Sequence, residues 1–108
     1  MDGYMQTQYS ELEQMSDEAL CTALQNGTSA AGDILAHRYR KLVRCCAHPY
    51  FLAGGDSEDL LQEGMFGLIK AMREFRADRE ASFQTFAEVC IRSRLCSVIR
   101  ASRAGKHS

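Results

Sequence analysis

The sequence has no tryptophan, a single proline (Pro49), and no apolar run long enough to cross a membrane as a helix. No membrane-spanning helix is therefore expected. No segment alternates apolar and polar residues with a period of two, and no repeat recurs at the spacing of solenoids or propellers, which excludes sheet and repeat architectures. The five cysteines (Cys21, Cys45, Cys46, Cys90 and Cys96) are odd in number and include no CxxC pair. They match neither a disulfide framework nor a zinc-ligand spacing, and read as reduced thiols in a cytoplasmic protein. HExxH, a glycine-rich phosphate loop after a strand, and Ser/His/Asp or Cys/His nucleophile spacings are all missing. His37 and His48 then read as solvated or capping residues, and neither catalysis, a metal nor a cofactor is expected.

Lysine and arginine are absent from residues 1–37, which hold the acids Asp2, Glu11, Glu13, Asp17, Glu18 and Asp33. Residues 89–108 reverse this, with Arg92, Arg94, Arg100, Arg103 and Lys106 and no acid. The formal net charge of -1 hides this segregation. A basic end of this kind suits a polyanion, although a solvated tail has the same composition. With 108 residues and 45% apolar content, one globular domain is expected. A chain of this length buries roughly 60 to 70% of its unfolded surface, so no staples are needed.

The start and stop signals give about four helices. Residues 1–15 are polar and without period, and are expected to fray. Ser16 caps a short helix with Asp17 and Glu18 in its first turn, ending near Asn26-Gly27. A second helix is predicted from Ser29 to Ala47, with Ala31, Ile34, Leu35, Leu42, Val43 and Cys46 at helical spacing and Pro49 as its stop. Its outer face carries Arg38, Arg40, Lys41 and Arg44. Asp56 is the predicted cap of a third helix reaching Phe75, and Ser82 that of a fourth reaching Ala101. The fold class is all-α, a small helical bundle.

Within the third helix, a rotation of about 100° per residue gathers Leu61, Gly64, Met65, Leu68, Met72 and Phe75 on one apolar stripe. Glycine inside a helix costs about 1 kcal/mol relative to alanine, which at Gly64 implies the close approach of another helix. Gly67 falls off the stripe, where only a contact with a partner suggests itself. The opposite face carries Asp59, Gln62, Glu63, Phe66, Lys70 and Arg73. Phe66 is either an ordinary exposed apolar residue or an interaction anchor within a polar rim.

On the fourth helix the same rotation puts Phe83, Ala87, Cys90, Ile91, Leu95 and Val98 on the core face. Arg92, Ser93, Cys96, Arg100 and Arg103 form a basic stripe that can follow a phosphate backbone. Phe86 lies at the border, suited equally to core packing and to stacking on an unpaired base. Arg94 falls toward the core side and must snorkel or find an acid.

The run DLLQEGMFGLIKAMREFRADREASFQTFAEVCIRSRLCSVIRASRAGKH resembles conserved region 2 of the bacterial sigma-70 family of RNA polymerase sigma factors. It is most similar to the sigma-H branch of alternative factors known from sporulating bacteria. SDEALCTALQNG and AAGDILAHRYRKLVRCCAHPYFLAGGDSED extend the likeness, so it covers residues 16–107. The resemblance implies a helical domain that docks on the β′ clamp coiled coil of core RNA polymerase and recognises and melts the minus-ten promoter element. Carried over by position, it points to Asp59, Gln62, Glu63, Met65 and Ile69 for polymerase binding, and the helical wheel adds Phe66. It implies Phe83 and Phe86 near the non-template single strand, with Arg79 and the basic face at the backbone. Ser93, Cys96 and Arg100 fall at duplex-reading positions, and Arg103 continues their stripe.

Departures from the family accompany the match. Primary sigma factors carry a tryptophan pair where this chain has Val89-Cys90, and Gln and Thr where it has Ser93 and Cys96. Smaller stacking surfaces imply weaker melting and a different promoter sequence. The family continues into a helix-turn-helix domain that this chain, stopping at Ser108, does not include. An excised or truncated domain of a longer factor is expected, a naturally short protein being the other reading. Partners implied are core RNA polymerase, promoter DNA and, as a further class, an anti-sigma factor. The rival function is a helical adaptor or regulator that binds a protein without reading DNA.

Overall fold

The computed structural model describes residues 9–52, 57–78 and 80–105. A helical segment at 9–13 precedes α1 (Asp17–Gln25), α2 (Ser29–Arg38), α3 (Arg40–Leu52), α4 (Ser57–Glu74) and α5 (Phe83–Gly105). No strand occurs among the described residues, and the expected all-α class holds. The predicted cap Asp56 lies outside the described residues.

Two caps are observed where predicted. Ser16 Oγ accepts from the Ala19 N–H at 3.1 Å, and Ser82 Oγ from the Thr85 N–H at 3.2 Å. After α1 the chain reverses through Gly27 at φ 107°, a backbone region in which a side chain would be strained.

The predicted single helix from Ser29 to Ala47 is corrected in two ways. It breaks at Tyr39, which leaves helical geometry with φ -100° and ψ 6°. Neighbours hold Tyr39 there: its ring packs edge-on against Phe83 with centroids 5.2 Å apart, and its hydroxyl donates to Asp17. Pro49 does not stop the chain either, since α3 runs on to Leu52 around it. Proline removes one backbone hydrogen bond, while Tyr50 and Phe51 beyond it pack on the core and Tyr50 Oη bonds Cys96 Sγ at 3.2 Å. Tertiary contacts in the last turn outweigh the missing bond.

Residues 9–13 also depart from the frayed terminus expected for 1–15. Leu12 is buried, and Arg38 holds the segment by donating to the carbonyls of Met15 and Glu13 at 2.9 and 2.6 Å. Arg38 is thus held at the surface by this task and by an ion pair with Asp17 at 2.9 Å.

The core is continuous, built around Leu20, Leu35, Val43, Leu68, Met72, Phe83, Ile91 and Leu95. Helix α4 packs most extensively against α5, and both of its internal glycines are buried in the packing. A Cβ on Gly64 would lie 2.7 Å from Val43 Cγ1, and one on Gly67 would lie 3.0 Å from both the Cys90 carbonyl oxygen and Ile91 Cα. The close approach inferred at Gly64 is therefore to α3. At Gly67 the neighbour is α5 of the same chain, not an external partner, and the glycine lets two backbones meet.

Candidate functional site

Helices α4 and α5 carry every predicted site residue except Arg79, and their packing decides which remain accessible. With Gly64, Gly67, Leu68 and Met72 turned inward, α4 presents Asp59, Gln62, Phe66 and Ile69 outward. Phe66 is 47% exposed and Ile69 36%. Glu63 and Met65 are half-buried. Met65 lines a groove of about 390 Å³ between α4 and the α2–α3 corner, beside Leu61, Gln62, Val43, Arg40 and Arg44. It thus serves both the core and a surface depression.

Arg94 finds the acid its position required. Its Nε and Nη2 each lie 3.0 Å from Glu63 Oε2, and its guanidinium sits 5.9 Å from the centre of the Phe66 ring. An exposed cation–π contact of this kind contributes about 0.5 to 1 kcal/mol. The trio ties α4 to α5 and makes Phe66 one wall of a second groove, of about 370 Å³, shared with Lys70, Val89, Ser93 and Ser97. Val89 is the most exposed large apolar residue described, at 61%.

The strand-facing set divides. Phe83, expected near single-stranded DNA, is fully buried, with its ring edge-on to Tyr39 and to Phe75. This is a correction, because the ring has no free face: its period put it on the core stripe, and the core claims it. Phe86 is half-buried, 5.9 Å from the Phe75 ring. Arg92, Ser93 and Arg100 are exposed, and Arg92 pairs with Glu88 at 3.5 Å. Cys96 is half-buried and bonded to Tyr50, so it links α5 to α3 inside the stripe. Burial raises the Cys46 thiol pKa, and the bond to Cys96 raises that of the Tyr50 phenol. Arg79 lies outside the described residues; Arg103 lies within α5, and its side chain is not among those described.

Arg40, Arg44, Lys70 and Ser97 were not singled out from the sequence as site residues. Arg40 and Arg44 recur at i and i+4, but nothing in the spacing says that they face α4. Among the described residues no helix is long and apolar enough to cross a membrane.

The fold and these faces define a helical domain in which a helix with apolar side chains exposed among polar ones packs against a basic helix. The family model for sigma-70 region 2 matches residues 35–104. Over 94 residues the chain is 44% identical to the RNA polymerase sigma-H factor of Bacillus licheniformis and 43% to that of Bacillus subtilis strain 168. The alignments cover 87% of this chain and 42% and 43% of those proteins, so it spans less than half their length. It is also 38% identical over 71 residues to the RNA polymerase sigma factor FliA of Pseudomonas aeruginosa, covering 61% of this chain and 28% of that one. The chain belongs to the sigma-70 family, as a region 2 domain close to that of sigma-H.

Proposed function

We propose that this domain acts in transcription initiation, docking on the β′ clamp coiled coil of core RNA polymerase through α4 while α5 holds the minus-ten element. One observation carries the reading. The large apolar side chains exposed on the described surface are Phe66, Ile69 and Val89, and all lie on α4 and α5. Phe66 and Ile69 stand among Asp59, Gln62 and Glu63, an anchor with a polar rim. The groove floored by Met65 extends this face toward Arg40 and Arg44.

Helix α5 supplies the DNA side. At 1.5 Å per residue it is about 34 Å long, and its exposed Arg92 and Arg100 stand along it where they can follow a backbone. Phe86 is the stacking ring and Phe83 its buried support. Val89 offers much less area than an indole, so selectivity rests on which unpaired bases fit rather than on a strong wedge. Affinity for DNA outside the complex is mostly salt-sensitive phosphate contact.

Binding of the chain to core RNA polymerase, or to the isolated clamp coiled coil, tests the docking face. Phe66→Ala and Gln62→Ala are each expected to weaken binding at least tenfold, about 1.4 kcal/mol. Saturable binding untouched by either change would reject α4 as the docking face. Absence of any binding would favour an adaptor with a different partner.

A further inference from the structure

Helix α1 belongs to neither proposed surface, yet its polar side chains hold both ends of the α4–α5 connection. The first N–H groups and last carbonyls of a helix have no intrahelical partner. At the start of α5, Glu18 Oε2 accepts from the Phe83 N–H at 2.9 Å. A carboxylate there also suits the positive end of the helix dipole. At the end of α4, Gln25 Nε2 donates to the carbonyls of Met72 and Phe75 at 3.0 and 2.8 Å. One short helix thus caps two others from a distant part of the chain.

Two of these three bonds converge on one group of rings. Gln25 holds the Phe75 carbonyl, and the Phe75 ring lies 5.5 Å from Phe83 and 5.9 Å from Phe86. Glu18 holds the Phe83 N–H, and Phe86 follows in the same turn of α5. Phe83 is enclosed; Phe86, at the edge, is half-buried. We propose that Glu18 and Gln25 are positioning residues for Phe86, setting the ring that meets an unpaired base by fixing the helix ends on either side of residues 76–82. This rests on the reading that Phe86 faces the single strand. Gln62 and Phe66 lie N-terminal to the part of α4 that Gln25 holds, so polymerase docking should not depend on it.

The test uses the full chain bound to core RNA polymerase and a short fluorescein-labelled single-stranded DNA, chosen from a randomised pool as the tightest binder of the wild-type complex. Variants are Glu18→Ala, Glu18→Gln, Gln25→Ala and Phe86→Ala, each measured for DNA affinity, core binding and melting temperature. Glu18→Ala and Gln25→Ala are expected to weaken DNA binding about tenfold, the scale of one lost base stack, with core binding unchanged. Glu18→Gln keeps an acceptor oxygen and is expected to stay near wild type. DNA affinity unchanged in both alanine variants, with Phe86→Ala weakened, overturns the positioning role alone. A neutral Phe86→Ala overturns the reading of Phe86 itself. Parallel loss of DNA and core binding in step with melting temperature, without rescue by Glu18→Gln, reduces both residues to general stability and also overturns the proposal.

Discussion

Gly67 and Gly64 have the same residue type and helix but different neighbours, and their substitution should differ accordingly. A methyl at Gly67 meets α5 backbone atoms at 3.0 Å, so the helices must separate. Gly67→Ala is expected to destabilise by about 1 to 3 kcal/mol as overpacking, despite a helix-propensity gain near 1 kcal/mol. At Gly64 the obstacle is one methyl of Val43, stiff because it is β-branched. Gly64→Ala should therefore also destabilise, and Val43→Ala in the same chain should recover part of the loss. Chemical denaturation of the two single variants and the double variant measures this coupling; simple additivity would show that Val43 is not the obstacle. The helical wheel placed Gly64 correctly because it lies on the stripe. It misplaced Gly67 because glycine has no side chain to mark a buried face.

At the scale of elements, α1 shows what amphipathic pattern leaves out. Its cap and bounds were legible, and it buries Leu20 and Cys21, but its acids looked like ordinary first-turn residues. Asp17 instead bonds Arg38 and Tyr39 and holds the corner between α2 and α3. Burial, then the bond to Asp17, raises the Tyr39 phenol pKa well above that of a free tyrosine. A folded state that keeps this proton longer than the unfolded chain is favoured fully below the ordinary tyrosine pKa, about 10, and loses that advantage progressively as pH rises from there through the higher folded pKa. Cys21, pushed up to about 12 chiefly by burial, acts in the same direction from the ordinary thiol range upward. Tyr39→Phe is expected to cost about 1 to 2 kcal/mol at neutral pH. It should also show a shallower stability loss between pH 9 and 11 than the wild type. Urea titrations across that range check both, and equal slopes would remove Tyr39 from the alkaline transition.

Across the whole molecule, acids gather toward the N-terminal third and bases toward the C-terminal end. Of the N-terminal acids, Asp17 and Glu18 make contacts within the fold, while Arg92, Arg94 and Arg100 of α5 are exposed. Replacing Arg92, Arg100 and Arg103 by Glu should leave core polymerase binding intact and lower the salt dependence of duplex DNA binding by about 0.9 in log–log slope for each phosphate no longer neutralised. Titrations of the chain and its variant at several salt concentrations would show it. An unchanged slope would favour the adaptor reading, in which α5 never meets a phosphate backbone.

Periodicity, capping residues and the DLLQEG and FQTFAEV motifs were enough to establish an all-helical domain, most of its core and the family to which it belongs. These are local properties: a helix face follows from rotation per residue, and a cap from one side chain and the amides beside it. Position in three dimensions decided the rest. Tyr39 breaks a helix because Phe83 and Asp17 pull on it, and α3 passes Pro49 because its last turn is held by packing. Phe83 and Phe86 share sequence context and chemistry, yet one is enclosed and the other half-exposed. Rotation along the helix already set Phe83 on the core face and Phe86 at its border; which rings enclose them, Tyr39 and Phe75 from elsewhere in the chain, was decided by long-range packing that leaves no periodic mark.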